Sequence, residues 1–186
     1  MDRMSPEIAP PAAEMTLDWS CTSTLPKINR ALRYWDEKRH ERAMPARCDI
    51  DPFEIKDILP VVQLYDLIDG GVSYRVRLFG TVVAQLFDKD PTGNVFDRAS
   101  GQPLVTRMLT VFDHVVLQRK PLIARAVHTA IEKVNHSSIE SIFLPLSDNG
   151  TDINMIFAAT VVLPPSARTA AGERIDTAAT EVSTIY

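Results

Sequence analysis

Two arginines alternate with apolar residues in "YRVRLFG", Tyr74 to Gly80. Guanidinium groups at that spacing project from one face of a strand and suit a carboxylate or phosphate. Three readings follow for Arg75 and Arg77: a solvated outer face, an ion pair with an acid such as Asp36 or Glu37, or a pocket anion site if the strand register moves by one residue. Arg125 poses the same choice in a later strand. The acid pairs Asp49/Asp51 and Asp88/Asp90 have the residue type for a hard cation. Asp51 before Pro52 reads better as a helix cap, and Asp90 before Pro91 as a turn residue. Cys21 and Cys48 lie far apart without a CxxC pair or a metal-spaced histidine, so they read as reduced thiols. There is no GxSxG, GxGxxG, phosphate loop or HExxH.

The chain of 186 residues is 45% hydrophobic and 24% charged, which fits one globular domain with room for end segments. A net charge of -4 argues against general nucleic-acid binding. No apolar run approaches the roughly 18 residues that span a bilayer, and the acid- and proline-containing start is unlike a signal peptide, so a cytoplasmic location is expected. Residues 1–22 read as a flexible leader, 23–163 as the domain and 164–186 as a disordered tail.

The elements that must position these groups follow from periodicity. Leu25, Ile28, Leu32 and Trp35 form one apolar stripe on a helix spanning 25–43, which can pack on the core or pair with a second copy. A short helix starts at Asp51–Pro52 and stops by Pro60. "VVQLYDLID", a Gly70–Gly71 turn and "SYRVRLFG" form a hairpin. Short helical turns follow, then a long helix in "GQPLVTRMLTVFDHVVLQRK" with Val105, Met108, Leu109, Phe112, Val115 and Val116 inward. Three strands close the domain, the last two joined by "SDNGTD". Hairpins at both ends imply an α+β fold, an antiparallel sheet with helices on one face.

This order, together with "LRYWDEKR" (32–39), "MPARCDIDPFEI" (44–55), "YRVRLFGT" (74–81), "DPTG" (90–93) and "LPLSDNG" (144–150), resembles a stand-alone bacterial PAS-like family common in alphaproteobacteria. The resemblance covers about residues 25–163. It implies a five-stranded antiparallel sheet in the order 2-1-5-4-3, a pocket between sheet and helices, an N-terminal flanking helix, and sensing or interaction, not catalysis. It names no ligand. A photoactive flavin site would need a cysteine in the helical stretch after the second strand, and "AQLFDKDPTGNVF" has none. An axial haem histidine would come from the long helix, but His114 lies about 200° round from Phe112. His40 and His136 sit in polar surroundings, and His128 in a strand. No cofactor is assigned.

With the sheet covered on one face, the expected pocket is Leu64, Val76, Leu78, Val83, Phe87, Met108, Phe112, Ile142, Leu144, Ile156 and Ala158, a wall suited to an apolar guest. The expected assembly is a homodimer through Leu25, Ile28, Leu32 and Trp35, with a separate signalling partner and neither nucleic acid nor membrane. The competing readings are a small α+β enzyme, of the hotdog thioesterase or isomerase kind, and a ligand-free scaffold. The enzyme needs a buried polar or acidic side chain facing the cavity, and the inward list holds none.

Overall fold

The computed structural model describes residues 15–86, 89–128 and 137–163. Strands β1 (Met15–Asp18), β2 (Val62–Ile68), β3 (Ser73–Phe79), β4 (Val95–Asp97), β5 (Leu122–His128), β6 (Ser137–Leu146) and β7 (Met155–Leu163) form one sheet in the order β1-β5-β6-β7-β2-β3-β4. Every neighbouring pair is antiparallel. Its five central strands reproduce the expected order, and one further strand is added at each edge. β1 lies inside the stretch expected to be a flexible leader. Its alternating Met15 and Leu17 pack beside the core, which gives four residues of chain a reason to order along β5.

Helices α1 (Pro26–Arg39), α2 (Thr81–Leu86) and α3 (Pro103–Gln118) connect these strands. The sheet is buried on both faces. Along β6 and β7, Ile142, Leu144, Phe157 and Ala159 pack with Ile28, Ala31 and Trp35 of α1. The intervening Phe143, Ile156 and Ala158 pack with Leu109, Phe112 and Val115 of α3. Alternation therefore feeds two cores, and a strand buried twice reads as a nearly continuous apolar run such as "MIFAA".

The stripe expected to join two subunits thus faces the chain's own sheet. Ile28 is fully buried, Trp35 is 4% exposed, and Leu25 and Leu32 are partly buried against the same core. The Trp35 Nε1–H donates to the Pro145 carbonyl at 2.8 Å, which locks α1 to β6. The stripe expected at a dimer interface thus makes an intramolecular contact, with Ile28 and Trp35 buried in it and Leu25 and Leu32 partly exposed.

Two local expectations also change. The segment after Asp51 is a run of tight turns ending in a 3-10 turn at Leu59–Val61, not a helix. Asp51 Oδ1 does accept from the Phe53 N–H at 2.9 Å. The Tyr34 hydroxyl accepts from the Asp51 N–H and donates to Glu54 Oε2, fixing the segment from outside. In the first hairpin the register shifts between Leu64 and Tyr65. Leu64 opposes Leu78 and Tyr65 opposes Val76, so Arg77 is the extra residue of a bulge. Val76 consequently joins the α3-side core while Leu78 turns to the α1 side.

Gly80 follows the bulge because nothing larger fits. Its N–H donates to the Val62 carbonyl at 2.8 Å, and an added Cβ would stand 2.4 Å from the Pro60 oxygen. Gly80→Ala is expected to lose about 1–3 kcal/mol through overpacking, read from urea unfolding. Trp35→Phe leaves the Pro145 carbonyl without its donor and should cost about 1–3 kcal/mol in the same assay; an unchanged midpoint would show that the indole bond does not anchor α1.

Candidate functional site

Between the sheet and α3 lies a cavity of about 600 Å³. The packing of α3 explains it. Toward the C-terminal half of the helix, Phe112 sits among Tyr65, Tyr74 and Phe143, with ring centroids 4.8, 4.8 and 5.6 Å away. That aromatic cluster fills the space. Toward the N-terminal half, Val105 and Met108 overhang Ala124, Ala126, Ser141 and Thr160, whose small side chains do not reach the helix. A void is left that relaxation of a close-packed interior would otherwise remove.

The walls are apolar: Tyr65, Phe79, Val83, Val111, Ile139 and Phe143. The floor is polar. Gln63 is 1% exposed, and Ser141 and Thr160 are each 7% exposed. Thr160 Oγ1 lies 3.0 Å from Gln63 Oε1 and 2.9 Å from Ser141 Oγ, and Gln63 Nε2 donates to the Val61 carbonyl at 2.7 Å. The chain crosses three adjacent strands, β6, β7 and β2. The mouth is marked by exposed Lys89, Asn94, Asp97 and Gln102 and by half-buried Arg107, and Met15 of β1 also reaches the wall. Among the described residues the lining has neither histidine nor cysteine.

Of the eleven expected pocket residues, Val83 and Met108 line the cavity. Val76, Phe112, Ile156 and Ala158 are on the correct face but within filled core. Leu64, Leu78, Ile142 and Leu144 face α1 instead. Phe87 lies outside the described residues. The differences share one cause: the sheet is covered on both faces, so its apolar residues divide between two cores, and the bulge at Arg77 reverses part of β3. The residues missed are those that give the cavity its chemistry: Gln63, Ser141, Thr160 and Arg107. The signal was present as single polar residues inside apolar strands, "VVQLY", "ESIFLP" and "AATVV".

The remaining candidates take structural places. Arg75 and Arg77 are exposed, as an outer-face reading expects, and Arg77 pairs with Asp66 of β2 at 3.5 Å instead of an acid of α1. Asp36 is held by Arg39. Asp49 accepts from the Ala46 N–H and from Arg42, and Asp90 accepts from Thr92, while Asp88 lies outside the described residues. Among the described residues no three His, Cys, Asp or Glu side chains cluster for a metal. His114 meets Trp19 edge to face with centroids 6.3 Å apart, outside the cavity, and His40 is exposed at the end of α1. Burial pushes the Tyr65 phenol well above its ordinary value. Burial, with Asp113 nearby, pushes Tyr74 up to about 12, and its buried hydroxyl has no hydrogen-bond partner among the described residues. The Cys21 thiol, pushed up to about 11 by burial and by Asp18, is a poor nucleophile.

Arg125 does more than occupy a face. Its guanidinium donates to Glu140 Oε2 at 2.7 Å, to Asp18 Oδ2 at 3.0 Å and to the Thr22 carbonyl at 2.6 Å. Ser23 donates to the other Glu140 oxygen. One cation thus ties β1 and the approach to α1 onto β5 and β6.

A family model described as a PAS domain matches residues 24–159. The chain belongs to the PAS domain family. PAS domains are sensory and interaction modules, and the match begins just ahead of α1 and ends within β7, so both cores fall inside the domain. No curated protein and no solved structure matches this PAS domain. β1, with Met15 and Asp18, lies ahead of the matched span. Among the described residues no helix is long and apolar enough to cross a membrane.

The Arg125 network predicts a pH effect. Burial raises the Asp18 carboxyl, but hydrogen bonds from Ser20 and Arg125 outweigh it and hold the folded value below the ordinary one. A depressed carboxylate contributes stability that is present above its unfolded value, about 3.9, and is lost as pH falls through the folded value. Thermal unfolding should therefore show Asp18→Asn less stable than the parent at neutral pH and the gap closing as pH falls below about 4. A gap that persists undiminished in acid would assign the effect to something other than this charge.

Proposed function

We propose that this PAS domain senses a small molecule held between the sheet and α3, without transforming it. One observation carries the reading: a cavity of about 600 Å³ with apolar walls and a hydrogen-bonding floor. That is the size and character of small-molecule sites, mostly apolar with a few placed polar groups. The polar floor revises the guest from purely apolar to one with a polar group. The floor groups, two hydroxyls and an amide hydrogen-bonded to one another, are suited to reading a ligand. The competing enzyme reading asked for a buried polar side chain at the cavity, and Gln63, Ser141 and Thr160 meet that condition; they do not form the nucleophile-and-base or acid–base pair that catalysis also needs. A cytoplasmic setting rests on the sequence composition. Output would run through β1, because Met15 touches the cavity while Asp18, on the same strand, is held by Arg125.

Native mass spectrometry of protein purified from its own host tests this. A discrete bound molecule is expected on the parent protein. Ala124→Leu, which projects into the void, should abolish that adduct while leaving the thermal midpoint unchanged or higher. An adduct that survives the filled cavity, or a parent protein carrying none and unmoved in its melting by any of a broad metabolite panel, would sink the reading.

A further inference from the structure

The floor and the mouth of the cavity ask for opposite things. The Gln63 amide is oriented by Val61: a carbonyl oxygen only accepts, so the amide nitrogen must be the atom 2.7 Å from it. Gln63 Oε1 therefore faces Thr160, and Thr160 must give it its one hydroxyl proton. Ser141, 2.9 Å from Thr160 Oγ1, must in turn give its proton to Thr160. Both hydroxyl protons are committed within the chain. What Ser141 can still offer a guest is a lone pair, so its part of the floor takes a hydrogen-bond donor.

The mouth takes the anion. Arg107 is half-buried in the lining, yet makes no ion pair or hydrogen bond among the described residues, whereas Arg98 and Arg125 on neighbouring elements are each held by acids. Lys89 stands at the same mouth, and its ammonium makes no ion pair or hydrogen bond among the described residues. Among the described residues the lining contains one carboxylate, Asp97, and its Oδ1 already accepts from the Ala99 N–H at 2.8 Å. Two cations against one acid leave room for about one negative charge, and a guanidinium fork fits a carboxylate in bidentate fashion. Between mouth and floor the guest meets only Tyr65, Phe79, Val111, Ile139 and Phe143 and their neighbours.

We infer that the ligand is an amphipathic carboxylate: an acid group at Arg107 and Lys89, a hydrocarbon or aryl body along the wall, and a hydroxyl or N–H at the far end donating to Ser141. This rests on the cavity being a ligand site.

The test is calorimetric titration of the full chain with four probes of one length: decanol, decylammonium, decanoate and ω-hydroxydecanoate. Decanoate is expected to bind about tenfold tighter than decanol, as a charge-assisted contact gives. Decylammonium should bind weakest, and the ω-hydroxyl should add a further several-fold. Arg107→Gln should erase the advantage of decanoate while leaving decanol as it was. Ser141→Ala should erase only the advantage of the ω-hydroxyl. Decanol binding that is lost in Ala124→Leu but matches decanoate in the parent protein would overturn the anion inference and leave the cavity reading standing. An Arg107→Gln loss shared equally by decanol and decanoate would do the same. Failure of all four probes to bind would overturn both.

Discussion

Phe112 sets the distance between α3 and the sheet. Its ring contacts Tyr65, Tyr74 and Phe143 from three strands, so the helix cannot settle closer without displacing aromatic volume. Leu109 and Val115 complete that packed end. Nearer the N-terminus of the same helix the opposing side chains are Ala124, Ala126, Ser141 and Thr160, and a rigid helix cannot bend to meet them. The cavity is the geometric consequence of large residues at one end of a helix and small ones at the other. Removing the aromatic props would remove the pocket before any ligand contact was touched.

The second face of the sheet makes that arrangement stable. α1, anchored by Trp35 on Pro145, gives the strands a complete core on the side away from the cavity. A domain whose α3 face is partly hollow has fewer contacts there, and the filled opposite face supplies the burial that holds the sheet together. Using α1 as a core helix also removes its apolar stripe from the surface, which leaves its outer side to Lys27, Arg33, Asp36 and Glu37, all exposed.

β5 and β1 touch both faces. Ala124 and Ala126 of β5 line the cavity, while Arg125 between them points to the other side and holds Asp18, Thr22 and Glu140. Strand alternation thus puts a cavity wall and an electrostatic clamp on consecutive residues.

Much of the domain was legible from the chain. Helical spacing located α1 and α3, turn residues located the hairpins at Gly70–Gly71 and around Gly150, and the five central strands came out in the right order because these signals are local or follow from the resemblance. The exposure of Arg75 and Arg77 followed from their alternation with Tyr74 and Val76. The site was much less legible. Whether Ile142 or Phe143 faces the cavity depends on which side of a doubly buried strand carries α3, and both residues look alike to a periodicity argument. The bulge at Arg77 changes the facing of Leu78 without a marker in the sequence. Sequence alone located α1, α3, the two hairpins and the central strands and held no familiar catalytic motif, because those depend on neighbours within a few residues. Only the tertiary structure brought Gln63, Ser141 and Thr160 into one hydrogen-bonded chain and set Arg107 over the same void, because those contacts join residues 19 and 97 positions apart and exist only once the strands are paired.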